Sequence, residues 1–275
     1  MATRIGRDGG PLRSAAVRLL FIGDAVGKPG REALASAMPG LRAERMPDLV
    51  VANGENVAGG VGITRETAEE LFAAGVDVIT LGNHTYRHRE VYPYLDSEQR
   101  IVRPTNFRSG NPGRGHTIVE AAGMRVRVIN LSGQMHLQVE RNPFNAIDEL
   151  LDSLAGTADA VVVDFHAELT SEKVAMGWHL DGRVAAVLGT HTHVPTSDAR
   201  VLPGGTAHIT DVGMTGSRAG IIGVRREQAL EAFRTQMPVR FDTADEDVWL
   251  MGVAVEIGDN GLARGIDQIL MPVSS

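Results

Sequence analysis

The chain has 275 residues, with 32 glycines, no cysteine and a formal net charge of −7. A hydrophobic share of 43% and a charged share of 22% are ordinary globular values and exclude disordered and low-complexity classes. The missing cysteine excludes a disulfide framework, thiolate zinc, an iron–sulfur cluster and a cysteine nucleophile; no apolar run approaches the ~20 residues of a membrane helix.

Residues 1–16 carry Arg4, Arg7 and Arg13 around Gly9-Gly10-Pro11. They read as a flexible N-terminal extension rather than an export signal, which makes a cytoplasmic protein the default. The remainder, 17–275, reads as one α/β domain. Apolar runs predict strands at 17–22, 48–52 and 76–81, separated by helices at 31–45 and from Thr64, a plausible N-cap, to Gly75. Continuous apolar strands alternating with helices indicate parallel βαβ units. Next comes an antiparallel hairpin, 116–120 and 124–131, around Ala121-Ala122-Gly123. A helix over 143–154, a strand over 160–165, a helix near 171–177 and a strand over 184–188 follow. The C-terminal third is strand-like at 199–202, 207–210, 248–257 and 266–271, with a helix near 225–235 between. The expected architecture is two sheets face to face, mixed parallel and antiparallel, with helices outside.

The chemistry gathers where these strands stop. Five of them end at a metal-ligand residue type: Asp24, Glu55, Asn83, His166 and the pair His191/His193. In α/β sheets the loops at the carboxyl ends of strands converge to form sites. Each alone has a plain alternative: Asp and Asn are common turn formers, and a lone histidine is more often a satisfied core residue. Five strand ends in succession are harder to dismiss. Gly189-Thr190-His191-Thr192-His193 is the strongest element, because histidines at i and i+2 on an extended segment point the same way. Gly82-Asn83-His84 and Asn53-Gly54-Glu55-Asn56 add amides, a carboxylate and a further imidazole.

Together with FIGDAVGKPGR (21–31), NGENVAGGVGIT (53–64), DVITLGNHT (77–85), DFHAELTSEK (164–173), GTHTHVPTSD (189–198) and ITDVGMTG (209–216), this set resembles the YmdB-like branch of the calcineurin-like metallophosphoesterases. The resemblance spans 17–271. It implies a two-sheet metallophosphoesterase sandwich flanked by helices and a dinuclear metal site. Glu55 would bridge the ions, Asp24 and His193 would complete the first, and Asn83, His166 and His191 the second. Val26 stands where most of the superfamily carries a histidine, which removes one ligand from the first metal.

Oxygen and imidazole ligands without thiolate suit iron or manganese, with zinc as a further candidate. Two divalent ions, two carboxylates and one hydroxide leave about one net positive charge to meet a phosphodiester. The implied reaction is in-line hydrolysis, with hydroxide generated at the metals, His84 protonating the leaving oxygen and Asn56 orienting a phosphate oxygen. Small phosphodiesters are the implied substrates, 2′,3′-cyclic nucleotides first and an RNA end as a variant. The acidic balance argues against a broad nucleic-acid face. Relatives suggest a homo-oligomer and nothing suggests a membrane. Two other readings stay open: a phosphomonoesterase or nucleotidase, and a regulatory module that binds a nucleotide or RNA end with little turnover. Lys28 and Gly59-Gly60-Val61-Gly62 could hold phosphate or serve as plain turns, and Asp164 and Asp211 could support ligand histidines or be structural. His88, His116, His136, His179 and His208 read as surface or packing residues.

Overall fold

A computed structural model describes residues 17–273, so the expected extension at 1–16 lies outside the described residues. The chain runs β1 (Val17–Ile22), β2 (Asp24–Ala25), α1 (Gly27–Arg45), β3 (Leu49–Asn53), α2 (Arg65–Ala73), β4 (Val78–Thr80), α3 (Tyr92–Ser97), β5 (Ile101–Val102). It continues through the hairpin β6 (His116–Ala121) and β7 (Met124–Ser132), then α4 (Pro143–Ser153), β8 (Ala160–His166), α5 (Thr170–His179) and β9 (Ala186–Thr190). The last part is β10 (Arg200–Val201), β11 (Ala207–Ile209), β12 (Met214–Ser217), α6 (Arg226–Thr235), β13 (Val248–Ile257) and β14 (Ala263–Pro272).

Two sheets form. The first has the order β2-β12-β13-β1-β3-β4-β5 with β14 on β13; the second is β10-β11-β9-β8-β7-β6. The expected parallel units appear as β1/β3, β3/β4 and β4/β5 in one sheet and as β7/β8 and β8/β9 in the other. Antiparallel β13 against β1 and β6 against β7 make both sheets mixed.

The period of two along each strand assigns the layers. Leu19, Phe21, Leu49 and Val51 of the first sheet meet Val126, Val128, Val162 and Leu188 of the second in a buried inter-sheet core. The alternate residues Leu20, Ile22, Val50 and Ala52 face Leu34, Met38, Ala68 and Leu71 of α1 and α2. On the far side Ile129, Leu131, Val163 and Phe165 pack with Ile147, Met176 and Leu180 of α4 and α5. The result is the expected two-sheet sandwich, with these helices on both outer faces.

Local chemistry explains several boundaries. Thr64 does cap α2: its hydroxyl accepts from the Thr67 amide, and Thr67 returns the bond in a capping box. Ala122 and Gly123 have φ of 48° and 82°, the two positive values that a tight β6–β7 turn requires. The strand expected at 76–81 is shorter, and β2, β5 and β12 are additional. None of these three exceeds four residues, so none leaves an apolar period to read.

Candidate metal centre

Carboxyl ends of strands from both sheets converge on one point. Asp24, Glu55 and Asn83 follow β1, β3 and β4 of the first sheet; His166 and His191 end or follow β8 and β9 of the second. Asp24 and His166 are fully buried, and Glu55 nearly so. The three-way group Glu55, His166 and His191 brings its ligand atoms within 4.8 Å of one another.

Each histidine has one ring nitrogen committed elsewhere, which fixes the nitrogen it can offer a cation. His166 donates from Nδ1 to the Thr190 hydroxyl at 2.9 Å, and that hydroxyl donates to Asp164 at 2.7 Å. Its Nε2 therefore faces inward, 3.0 Å from Asn83 Oδ1, 3.0 Å from His191 Nδ1 and 3.3 Å from Glu55 Oε1. His191 uses Nε2 toward Glu168 at 2.9 Å, so Nδ1 is its inward atom. His193 donates from Nδ1 to the Ile222 carbonyl at 2.9 Å, which turns Nε2 toward Asp24 Oδ1 at 3.7 Å. Asp24 Oδ1 is buried without a hydrogen-bond partner, while Oδ2 accepts from the His191 amide at 3.1 Å.

Carboxylate oxygens, an amide oxygen and imidazole nitrogens gathered this closely are donors of the kind that hold a cation. The donor set therefore fits metal ions. The electrostatics show how tightly these groups are coupled. Burial works to lower the pKa of His166, yet the Glu55 carboxylate outweighs it and holds the ring up at about 9. Burial and the His166 charge push His191 down to about 3. Burial works to raise Glu55, but the adjacent His166 and His84 keep it well below the usual carboxylate range.

Gly82 is where the first sheet lets the second approach. A Cβ there would lie 2.4 Å from Glu55 Oε2 and 2.4 Å from His166 Nε2, so only glycine admits both side chains. The histidine pair departs from expectation. His191 and His193 do not lie on an extended segment but have φ of 104° and 64°, a conformation that non-glycine residues adopt at a cost. That twist, not a two-residue period, turns His191 to the Glu55 side and His193 to the Asp24 side. Asp211 holds the segment: it accepts from the Thr192 amide at 3.1 Å and hydroxyl at 2.7 Å, and pairs with buried Lys173 at 2.6 Å.

His84 and Asn56 border the ligand cluster. His84 Nδ1 donates to Asn56 Oδ1 at 2.8 Å and lies 3.1 Å from Glu55 Oε1, while its amide donates to Glu55 Oε2 at 2.9 Å. Asn56 Nδ2 donates to His193 Nε2 at 3.1 Å and to Glu55 Oε1 at 3.2 Å. All eight residues singled out from the sequence thus meet in one place.

Three supporting residues were less legible. Asn53 accepts from the Glu55 amide at 3.1 Å and donates to Asp164 at 2.9 Å, tying the two strand ends together. Thr190 and Glu168 fix the rings of His166 and His191, and nothing in the sequence marks either residue for that role. Asp164 lies one residue further out, with burial raising its carboxyl to about 6. Lys28 is exposed and lies 3.5 Å from Glu32 on α1. His88, His116, His179 and His208 make contacts away from the cluster, with the Val61 carbonyl, Arg127, Asp148 and the Val187 carbonyl respectively.

Comparison with known proteins gives the family and the fold. The YmdB-like protein family matches residues 20–269. A 2′,3′-cyclic-nucleotide 2′-phosphodiesterase of Bacillus subtilis (strain 168) is 47% identical over 243 residues, covering 88% of this chain and 92% of that protein. A crystal structure of a Mycoplasma pneumoniae protein described as a novel phosphatase superposes with a TM-score of 0.90 at 33% identity, covering 96% of each chain. A crystal structure of a hypothetical protein from Thermus thermophilus superposes with a TM-score of 0.88 at 41% identity, covering 94% of this chain and 100% of that one. Among the described residues, no helix is long and apolar enough to cross a membrane. On motif set, fold and family match alike, the chain belongs to the YmdB-like protein family.

Proposed function

We propose that the protein is a metal-dependent phosphodiesterase that hydrolyses 2′,3′-cyclic nucleotides. The observation that carries this is the convergence of Asp24, Glu55, Asn83, His166, His191 and His193, with Asp24 Oδ1 buried and unpartnered among them. The substrate class rests on the cyclic-nucleotide phosphodiesterase that is 47% identical.

Two ions would share Glu55, with Asp24 and His193 on one and Asn83, His166 and His191 on the other; iron or manganese suits these donors, as does zinc. Bound there, they supply Lewis-acid polarisation of phosphoryl oxygens and a nucleophilic oxygen at neutral pH. His84 stands free of this set. Its Nδ1 proton is held by Asn56, so Nε2 is the atom available to protonate the leaving 2′ oxygen. Asn56 Nδ2 faces His193 Nε2, and with that nitrogen engaged by a cation the amide would be placed to donate to a phosphate oxygen.

The reading includes a cytoplasmic homo-oligomer. Leu230, Phe233 and Met237 on and just after α6 are 49%, 77% and 65% exposed, an apolar stripe suited to a subunit contact. Light scattering that returns a monomer removes that part alone. A monoesterase reading draws on the Mycoplasma pneumoniae phosphatase, and one experiment separates the two. Metal-loaded protein is assayed on 2′,3′-cyclic AMP, a model diester and a model monoester. Diester turnover well above monoester turnover is expected; a metal-loaded protein inert toward diesters contradicts the proposal.

A further inference from the structure

A cavity of about 360 Å³ opens beside His193, lined by Pro195, Met214, Arg218, Trp249, Met251 and Leu270 among others. Its origin follows from strand period. Val253, Val255 and Ile257 of β13 point into the inter-sheet core. Met251 and Trp249 lie two and four residues before Val253 and so share that face. Leu270 stands directly opposite Met251 on β14, and Gly216 of β12 opposite Trp249. The first sheet thus carries its core-facing surface past the point where the second sheet covers it. What would be buried core elsewhere becomes the wall of a cavity with a candidate metal ligand at its rim.

The aromatic wall is held in place. Trp249 Nε1 donates to Asp247 Oδ1 at 2.8 Å, and the Arg218 guanidinium lies 4.2 Å from its ring centroid. The Arg218 amide bonds the Asp247 carbonyl at 3.0 Å, so one short link fixes both partners of the stack. With its N–H satisfied and a guanidinium over one face, the indole is a fixed π element of the cavity wall, the feature that recognises a base without requiring its hydrogen-bonding edge. The apolar side chains of Met214, Met251 and Leu270 complete a slot of the size that small ligands occupy.

We propose that this cavity is the nucleobase subsite: the base of a cyclic nucleotide adds to the Trp249–Arg218 stack while its phosphate lies at the candidate metal ligands. The assignment rests on the phosphodiesterase reading and adds to it a preference for base-bearing diesters. A stacking wall tolerant of edge chemistry accepts purines and pyrimidines alike, purines better because they cover more surface.

The test compares kcat/KM for 2′,3′-cyclic AMP with that for the base-free analogue, methyl ribofuranoside 2,3-cyclic phosphate. Metal-loaded wild type, Trp249→Ala and Trp249→Phe are measured side by side. The preference for the base-bearing diester is expected to fall about ten- to a hundred-fold in Trp249→Ala, the range of one lost base–aromatic stack. Trp249→Phe, which keeps a ring and packs conservatively, retains most of it. A preference unchanged in both variants overturns the subsite while leaving the phosphodiesterase reading standing. Wild type that turns over neither diester overturns that reading and the subsite with it.

Discussion

Glu168 Oε2 lies 2.9 Å from His191 Nε2, and this contact decides which nitrogen of His191 serves the candidate metal centre. With Nε2 committed, Nδ1 is the atom left facing His166 Nε2 at 3.0 Å. Glu168 itself is nearly half exposed, so it is free of core duties. Partners of this kind typically contribute 10–100-fold in metal affinity. Glu168→Ala should therefore lower metal affinity by about that factor and leave thermal stability of the metal-free protein within about 0.5 kcal/mol. Calorimetric titration with manganese and a thermal scan check both halves.

The relay behind His166 should behave differently, because it is buried. Thr190 accepts from His166 Nδ1 and donates to Asp164, whose other oxygen accepts from Asn53. Thr190→Val keeps the shape, removes both bonds and leaves a carboxylate oxygen short of a donor. A loss of about 1–3 kcal/mol in urea unfolding is expected, together with weaker metal binding. Thr190→Ser should restore most of both.

Gly82 gives a steric test of the same centre. Gly82→Ala would press a methyl group against Glu55 and His166, each 2.4 Å from the added carbon. Both side chains must shift, so metal stoichiometry should fall even if the sandwich survives. Metal content after dialysis, read beside the circular dichroism spectrum, separates site disruption from unfolding.

Acid stability offers a check away from the metal ligands. Burial works to raise the Asp198 pKa, but donors from Thr196 and Thr210 outweigh it and hold the carboxyl below its ordinary value. A group depressed on folding contributes stability above its unfolded pKa and loses it as pH falls through the folded one. The stability advantage of wild type over Asp198→Asn should accordingly be full near about pH 6 and shrink progressively below about pH 4. Urea midpoints measured across that range give the answer.

What could be read from the sequence followed from one regularity. Val17–Ile22, Leu49–Asn53 and Ala160–His166 are dominated by apolar residues, because both faces of each strand are covered, and the polar residues at their carboxyl ends mark the candidate site. That regularity makes Asp24, Glu55 and His166 candidates, and the family resemblance gives them ligand roles. The left-handed backbone at His191 and His193 was not legible, since Asp211 imposes it from a distance of some twenty residues. Glu168 and Thr190 carry no sequence signal of their own, because their roles depend on ring orientation. Trp249 read as one more residue of an apolar strand: the period shows which face it is on, but not that the opposing sheet ends short of it.

The central claim is that six strand-end side chains hold two ions that make the protein a phosphodiesterase. Stepwise reconstitution of chelator-treated protein with manganese, recording bound metal and 2′,3′-cyclic AMP hydrolysis in the same samples, tests it most directly. Two ions per chain at saturation are expected, with turnover rising as the second site fills, and loss of that metal binding in His166→Ala. Protein that saturates with manganese yet hydrolyses no cyclic nucleotide, or that binds it equally well as His166→Ala, would contradict it.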